Sequence, residues 1–279
     1  MKCKIGTIAD QFGIHPQTVR FYEREKLFRA ELGESSTRYY TARDFKRMAS
    51  LRRYLLMGFG TREARRLFAC EGPEEVAAQV RARKQEVFAQ IRDLNRTLWS
   101  LDQYEAGLVL VDRLLGRCEM AERPKMLLFI NQKGQSLDVS EEALLQLRRW
   151  TRHLDIVSNA SVVPCESFLE PDVPRERISG FCIPAATARQ FGVSADGPLV
   201  RTLPAQRCLH TVVCLDGPAE DTRRLFGTAI DYMRQNGLRV CGDAVGRILS
   251  VIKEGYNEKE HTPLATYYEY FIPVQEQTP

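Results

Sequence analysis

Several things are missing from this chain of 279 residues, and each absence removes a class of protein. No run approaches the ~18 consecutive apolar residues of a membrane-spanning helix. The opening Met1-Lys2-Cys3-Lys4-Ile5 is already patterned and lacks the apolar stretch of a secretory signal. Eight cysteines, at 3, 70, 118, 165, 182, 208, 214 and 241, include no CxxC pair. They read as reduced, mostly buried thiols of a cytoplasmic protein, not as a disulfide framework or a closed zinc loop. There is no visible Ser-His-Asp set, glycine-rich phosphate loop or metal triad, and His15, His153, His210 and His261 fall in unrelated settings. The chain is therefore expected to be no enzyme, to use no cofactor, to hold no metal and to touch no membrane.

What is present is an uneven distribution of charge. The overall +4 divides into 15 Lys/Arg against 8 Asp/Glu in residues 1–72 and 25 against 28 in the remainder. A basic first quarter on a slightly acidic body points to a polyanion partner at the N-terminal end. With 44% hydrophobic and 27% charged residues, the composition suits two domains and a connector.

The connector is the stretch from Glu74 to Arg117, with no proline and no glycine before Gly107. Val80, Val87, Ile91, Leu94, Leu98, Leu101, Leu108 and Leu115 recur at mostly three- and four-residue steps, with Lys84, Glu105 and Asp112 in the polar gaps. That pattern is a narrow apolar seam on one helix, roughly 66 Å long at about 1.5 Å per residue. It predicts a coiled coil with a second copy of the chain; the alternative is a long core-facing helix within one domain.

Ahead of it, Ile5, Ile8, Ala9 and Phe12 mark a short amphipathic helix, with Thr7 placed to cap it and Gly13 to end it. Pro16 then opens a second helix through Arg24. Two short helices joined by a glycine-containing turn form a helix-turn-helix. Gln17, Thr18, Arg20 and Arg24 are predicted to be exposed on the second helix and Val19 and Phe21 to face inward. After Ser35-Ser36-Thr37-Arg38-Tyr39-Tyr40, Thr41 and Asp44 make a capping box for a third helix. Gly58-Phe59-Gly60 breaks that helix, and Thr61 starts a fourth.

This order, "IGTIADQFGIHPQTVRFYEREKLF" followed by "TRYYTARDFKRMASLRRYLLMGFGTREARRLF" and a long helix, resembles the MerR family of transcription regulators over residues 4 to 117. The resemblance implies a winged helix-turn-helix, with Arg38-Tyr39-Tyr40 at the first wing and Phe59-Gly60-Thr61-Arg62 at the second. It implies DNA contacts from Thr18, Arg20 and Tyr22 on the recognition helix, from Arg38 and Tyr39 on the wing, and from Arg62 near phosphate, to which the exposed face of the second helix adds Gln17. The residue types suit that work: arginine offers bidentate contacts and charge, and tyrosine hydroxyls donate to phosphate oxygens. Glu23 and Glu25 are expected in local ion pairs.

Residues 116–124 read as a linker by composition. Beyond them strands are predicted at 125–130, 156–163, 178–187, 207–214, 240–253 and 264–274. Helices are predicted from Ser140 to Trp150, with Leu144, Leu147 and Trp150 apolar, and from Ala219 to Asn236, ended by Gly237. Strand-helix-strand-strand thus occurs twice, which suggests an α+β domain with an antiparallel sheet. With the phrases "YMRQNGLRVCGDAV" and "YYEYFIPV", this order is similar to the GyrI-like effector-binding domain of multidrug-sensing MerR proteins. That resemblance implies a cleft for bulky, often cationic, aromatic molecules, lined here by Trp150, Phe181, Tyr268 and Tyr270. The family's buried pocket glutamate falls on Gly246, which weakens the case for a cationic ligand and leaves either Glu269 or Glu166 as a substitute or a pocket widened for neutral or larger ligands.

The chain is thus expected to be a mixed fold. It comprises an α winged helix-turn-helix domain over 1–72, an antiparallel coiled-coil dimerisation helix over 73–117 and an α+β antiparallel-sheet effector domain over 118–279. The function this implies is a cytoplasmic, bacterial, ligand-responsive transcription activator that distorts promoter DNA. Its partners would be double-stranded promoter DNA, a second copy of itself, RNA polymerase and a small-molecule effector. Two alternatives are metal or redox sensing through Cys70 and Cys118, and hydrolysis of small molecules by the C-terminal domain.

Overall fold

The computed structural model describes residues 2–32, 38–173, 175, 176, 178–194, 196–215, 222–253 and 264–277. The polar turn expected at 35–37, Tyr256 and His261 lie outside them. The protein folds as two units, Met1–Asp93 and Leu94–Pro279.

In the first unit α1 (Ile5–Gln11) and α2 (Pro16–Arg24) flank a turn in which Gly13 adopts φ +59°, a left-handed conformation suited to glycine. Helix α1 starts two residues before Thr7 and has no side-chain cap, so Thr7 is not the cap the sequence suggested. Pro16 holds the first position of α2, and His15 Nδ1 accepts the Gln17 N–H at 3.2 Å. Strands β1 (Glu31–Leu32) and β2 (Arg38–Tyr39) pair antiparallel. Helix α3 (Ala42–Leu56) opens on the Thr41–Asp44 capping box, and α4 (Thr61–Ala69) follows.

Ile8, Val19, Tyr22, Leu27, Tyr40, Met48 and Leu51 form the core of this unit. Phe21, expected inward, is 37% exposed, and Tyr22 is buried in its stead. Helical geometry explains the exchange: residues three apart share a face, so Val19 aligns with position 22 and not with 21.

Helix α5 (Pro73–Leu114) runs for 42 residues, about 63 Å. It stops short of Arg117, and Gly116 takes φ +67° just beyond it. Along it Ile91, Leu94, Leu98, Leu101 and Leu108 are exposed, Leu94 by 68%. Within the single chain this row of the predicted seam is therefore uncovered.

The second unit contains β3 (Cys118–Arg123), β4 (Met126–Lys133), β5 (Ser136–Leu137), α6 (Glu141–Thr151), β6 (Ser158–Val163), α7 (Glu166–Leu169) and β7 (Ile178–Pro184). There follow α8 (Ala185–Phe191), β8 (Val200–Leu203), β9 (Gln206–Leu215), α9 (Thr222–Gln235), β10 (Leu238–Val240), β11 (Ala244–Lys253) and β12 (Leu264–Glu276). One sheet runs in the order β3-β9-β12-β11-β6-β7-β4-β5, with β10 on β12 and β8 on β4.

Three readings of this region change, the first being that the strand expected over 240–253 is split: Val240 closes β10 and β11 begins only at Ala244. Residues 118–123 are strand β3 and not linker, because Met120 and Ala121 pair with Leu209 and Cys208 on β9. The strand expected over 178–187 stops at Pro184, whose ring suits a helix start, and α8 begins there.

Strand alternation sorts the side chains onto two faces. Ser161, Gly246 and Tyr270 are in register across β6, β11 and β12. On their face α9 buries Phe226, Ala229 and Met233 against Leu209, Tyr268, Tyr270 and Ile272. On the same face α6 buries Ala143 and Trp150 against Leu127, Phe129 and Ile183. The opposite face carries Met126, Leu128, Val162, Cys182 and Val245. There too the last turns of α5, through Leu110, Val111 and Leu114, pack on Val212 and Leu249.

Candidate nucleic-acid interface and effector cleft

Helix α2 and the β1–β2 hairpin enclose a groove of about 430 Å³ lined by Gln17, Arg20, Glu23, Arg24, Phe28, Arg29 and Arg38, among others. It brings together four of the residues singled out in the sequence, Gln17, Arg20, Arg24 and Arg38, and adds Arg29. Glu23 ties the two elements to each other. Its Oε1 accepts the Tyr40 hydroxyl at 3.3 Å and its Oε2 lies 3.4 Å from Arg38 Nε. Burial, then the Glu23 carboxylate, pushes the Tyr40 hydroxyl well above the ordinary tyrosine range. Glu23 thus serves a local pair, as the sequence suggested, and it holds Arg38 at the groove.

The remaining candidates stand elsewhere in the unit. Thr18 is half-buried. Tyr22 is only 6% exposed, so its ring fills the core. Tyr39 lies opposite Glu31 in the hairpin, and Arg62 is exposed in the first turn of α4. Arg29 was missed because it belongs to neither helix. Its signal was the high arginine density of the first quarter.

On the sheet of the second unit, Tyr268 and Tyr270 line a cavity of about 60 Å³ with Ser161, Val163, Ser167, Phe226, Arg175 and Glu176. Phe226 meets Tyr270 edge-on at 4.9 Å between ring centres. Ser167 is fully buried there and its Oγ has no hydrogen-bond partner among the described residues. The ring of Tyr270 lies directly over Gly246: a Cβ built on that glycine would be 2.6 Å from it. The position that resemblance assigns to a carboxylate is thus roofed by a tyrosine.

The other expected lining residues are placed differently. Trp150 is fully buried under α6, with Nε1 donating to the Ser194 carbonyl at 3.3 Å, and Phe181 stacks on Phe129 in the same core. Glu269 is on the opposite face from Tyr268 and Tyr270, as strand alternation requires. It is 5% exposed and accepts from His210 Nε2 at 2.8 Å and from the Arg247 guanidinium. Burial opposes its charge, but the His210 hydrogen bond and the Arg247 cation outweigh that and hold the carboxyl below the usual glutamate range. His210 Nδ1 faces Glu119 at 3.2 Å, and its ring stacks on Phe271. Glu269 therefore serves an internal charge cluster and not the cleft, and Glu166 is exposed on α7. The carboxylate that does line the cleft is Glu176, which sequence reasoning missed because it lies outside every regular element.

Among the described residues no group of three or more His, Cys, Asp or Glu is arranged to hold a metal. Cys70 Sγ donates to the Arg66 carbonyl, and burial raises the Cys118 thiol above its ordinary range. No helix among the described residues is long and apolar enough to cross a membrane.

Residues 3–70 match the profile of the MerR HTH family regulatory proteins. The HTH-type transcriptional regulator HmrR of Rhizobium leguminosarum bv. viciae is 29% identical over 121 residues, which span 43% of this chain and 89% of that protein. The HTH-type transcriptional regulator ZntR of Escherichia coli K12 is 31% identical over 107 residues, 36% of this chain and 76% of ZntR. Among solved structures, a cryo-EM structure of an EcmrR–DNA complex is 13% identical, covers 98% of this chain and 100% of that chain, and superposes with a TM-score of 0.38.

Proposed function

Since the chain belongs to the MerR family of helix-turn-helix regulatory proteins, we propose that it is a dimeric, effector-responsive activator that reads promoter DNA through α2 and the β1–β2 wing. The observation that carries this reading is the groove in which Gln17, Arg20, Arg24, Arg29 and Arg38 converge. Arginine and glutamine are the residue types that pair with purine edges, and a cluster of cations meets the phosphates on either side. Arg62, exposed at the start of α4, supplies a further phosphate contact at the second wing.

The exposed row Ile91, Leu94, Leu98, Leu101 and Leu108 on α5 supports pairing with a second copy in an antiparallel coiled coil. Two copies would set two recognition helices a fixed distance apart on a palindrome. The domain limits that follow are 1–72 for DNA binding, 73–117 for dimerisation and 118–279 for the effector.

The chain orders β4-α6-β6-β7, with the short α7 between its last two strands, and β9-α9-β11-β12 support reading the sheet as two strand-helix-strand-strand units of GyrI type. In that reading Tyr268 and Tyr270 receive a flat, lipophilic effector by stacking. About 60 Å³ is far below the ~300 Å³ at which small-molecule pockets begin. Effector entry therefore requires Tyr270 to leave its seat on Gly246. The occupied regulator would act on RNA polymerase by deforming the promoter, since distortion energy conveys a signal without new base contacts.

The experiment is selection of duplexes from a random library by the full chain, followed by anisotropy titration of the winning duplex. The reading expects a palindromic winner bound by two chains and weakened at least tenfold by Arg20→Ala. Recovery of no consensus, with equal affinity for all duplexes, contradicts it.

A further inference from the structure

On the sheet face opposite α6 and α9 lies a cavity of about 400 Å³, walled by Leu128, Ile130, Val162, Leu203, Val245 and Pro273. Val162 and Val245 are the sequence neighbours of Ser161 and Gly246, so the cavity is separated from the Tyr268–Tyr270 cleft by the thickness of the sheet. Three cations line it, Arg123, Lys133 and Arg201, against one carboxylate, Asp243.

Arg123 is the unusual member. It is 3% exposed. Its Nη2 donates to the Pro204 carbonyl at 3.1 Å and to Gln206 Oε1 at 3.4 Å, while its Nε is buried with no acceptor among the described residues. Among the described residues no carboxylate pairs with it, and none pairs with Lys133 or Arg201. Asp243 makes no ion pair with any of the three, and its Oδ1 accepts the Cys165 N–H at 3.0 Å. A guanidinium never sheds its charge in a protein, and a buried cation without a counter-ion is strongly unfavourable.

We propose that this cavity binds an aliphatic carboxylate, with the anion on Arg123 and the hydrocarbon against the aliphatic wall. The anion satisfies the buried guanidinium, and the exposed Lys133 and Arg201 add long-range attraction at the mouth. Among the described residues no aromatic ring lines the cavity, which separates its ligand class from that of a stacking cleft. The volume lies within the ~300–1,000 Å³ range of small-molecule sites. The site stands independently of the effector reading of the other face.

The test is calorimetric titration of the full chain with octanoate, octanol and octylammonium. Octanoate is expected to bind once per chain, octanol at least tenfold more weakly, and octylammonium not at all. Arg123→Met is expected to lower octanoate affinity at least tenfold. Should that variant fail to fold, the exposed pair Lys133→Gln/Arg201→Gln decides, with octanoate weakened at least threefold and octanol unchanged. Absence of octanoate binding in the wild type, octanol binding as tightly as octanoate, or octanoate affinity unmoved by these substitutions overturns the proposal.

Discussion

Gly246 and Tyr270 face one another across β11 and β12 so closely that a methyl group on the glycine would lie 2.6 Å from the tyrosine ring. Glycine is required there by approach and not by backbone conformation. Gly246→Ala is expected to destabilise the protein by about 1–3 kcal/mol, the usual cost of overpacking. In a Gly246→Ala/Tyr270→Leu background most of that loss should disappear, because the two sites share one volume. Urea unfolding of the four proteins measures the coupling; additive losses contradict it.

Neighbours on α2 should separate stability from recognition. Tyr22 is in the core and Phe21 is at the surface. Tyr22→Ala is expected to cost about 3 kcal/mol or more, as truncation of a buried aromatic does. Phe21→Ala should stay within roughly 1 kcal/mol of the wild type. Urea midpoints with unchanged slopes are the readout, and similar losses for both would contradict the placement.

How much of this was readable beforehand depended on how local each cause is. Pro16, Gly13, Gly237 and the Thr41–Asp44 box act within four residues, and their helix boundaries stood in the sequence. Strand β3 did not, because its partner β9 is remote in sequence: Glu119 and His210 are 91 positions apart. Alternation along β12 placed Tyr268 and Tyr270 together and Glu269 opposite. It could not supply His210 and Arg247, which come from two other strands and turn Glu269 from a pocket candidate into an internal ion-pair member. The Phe21 misreading arose from placing Val19 and Phe21, two positions apart, on one face, when helical spacing excludes it.

Acid should weaken the second unit through Glu269. Its folded-state pKa is held below the ordinary value of 4.5, so its contribution is complete above that value and is lost as the pH falls through the lower, folded one. The wild-type melting temperature is therefore expected to drop as the pH goes from 5 toward 3. Glu269→Gln should start lower at pH 7, since the Arg247 guanidinium loses its counter-charge, and change less over the same interval. Parallel melting curves for the two proteins across this range contradict the assignment.

Charge placed on the seam should abolish pairing. Leu94→Glu/Leu101→Glu alters two exposed residues of α5, so folding of the single chain should be untouched. The double variant is expected to elute as a 31.9 kDa species by size exclusion with light scattering, where the wild type gives twice that mass. Identical masses for both proteins contradict the coiled coil.

The most direct test of a dimeric regulator acting through α2 and the wing is DNase footprinting of the full chain on its selected duplex, repeated with Arg20→Ala, Arg24→Ala and Arg38→Ala. The account predicts protection over two symmetry-related half-sites, centred about one helical turn or a multiple apart. Each substitution should lower affinity and reduce the salt dependence by about one phosphate contact. A single unsymmetrical footprint, or protection indifferent to all three arginines, contradicts it.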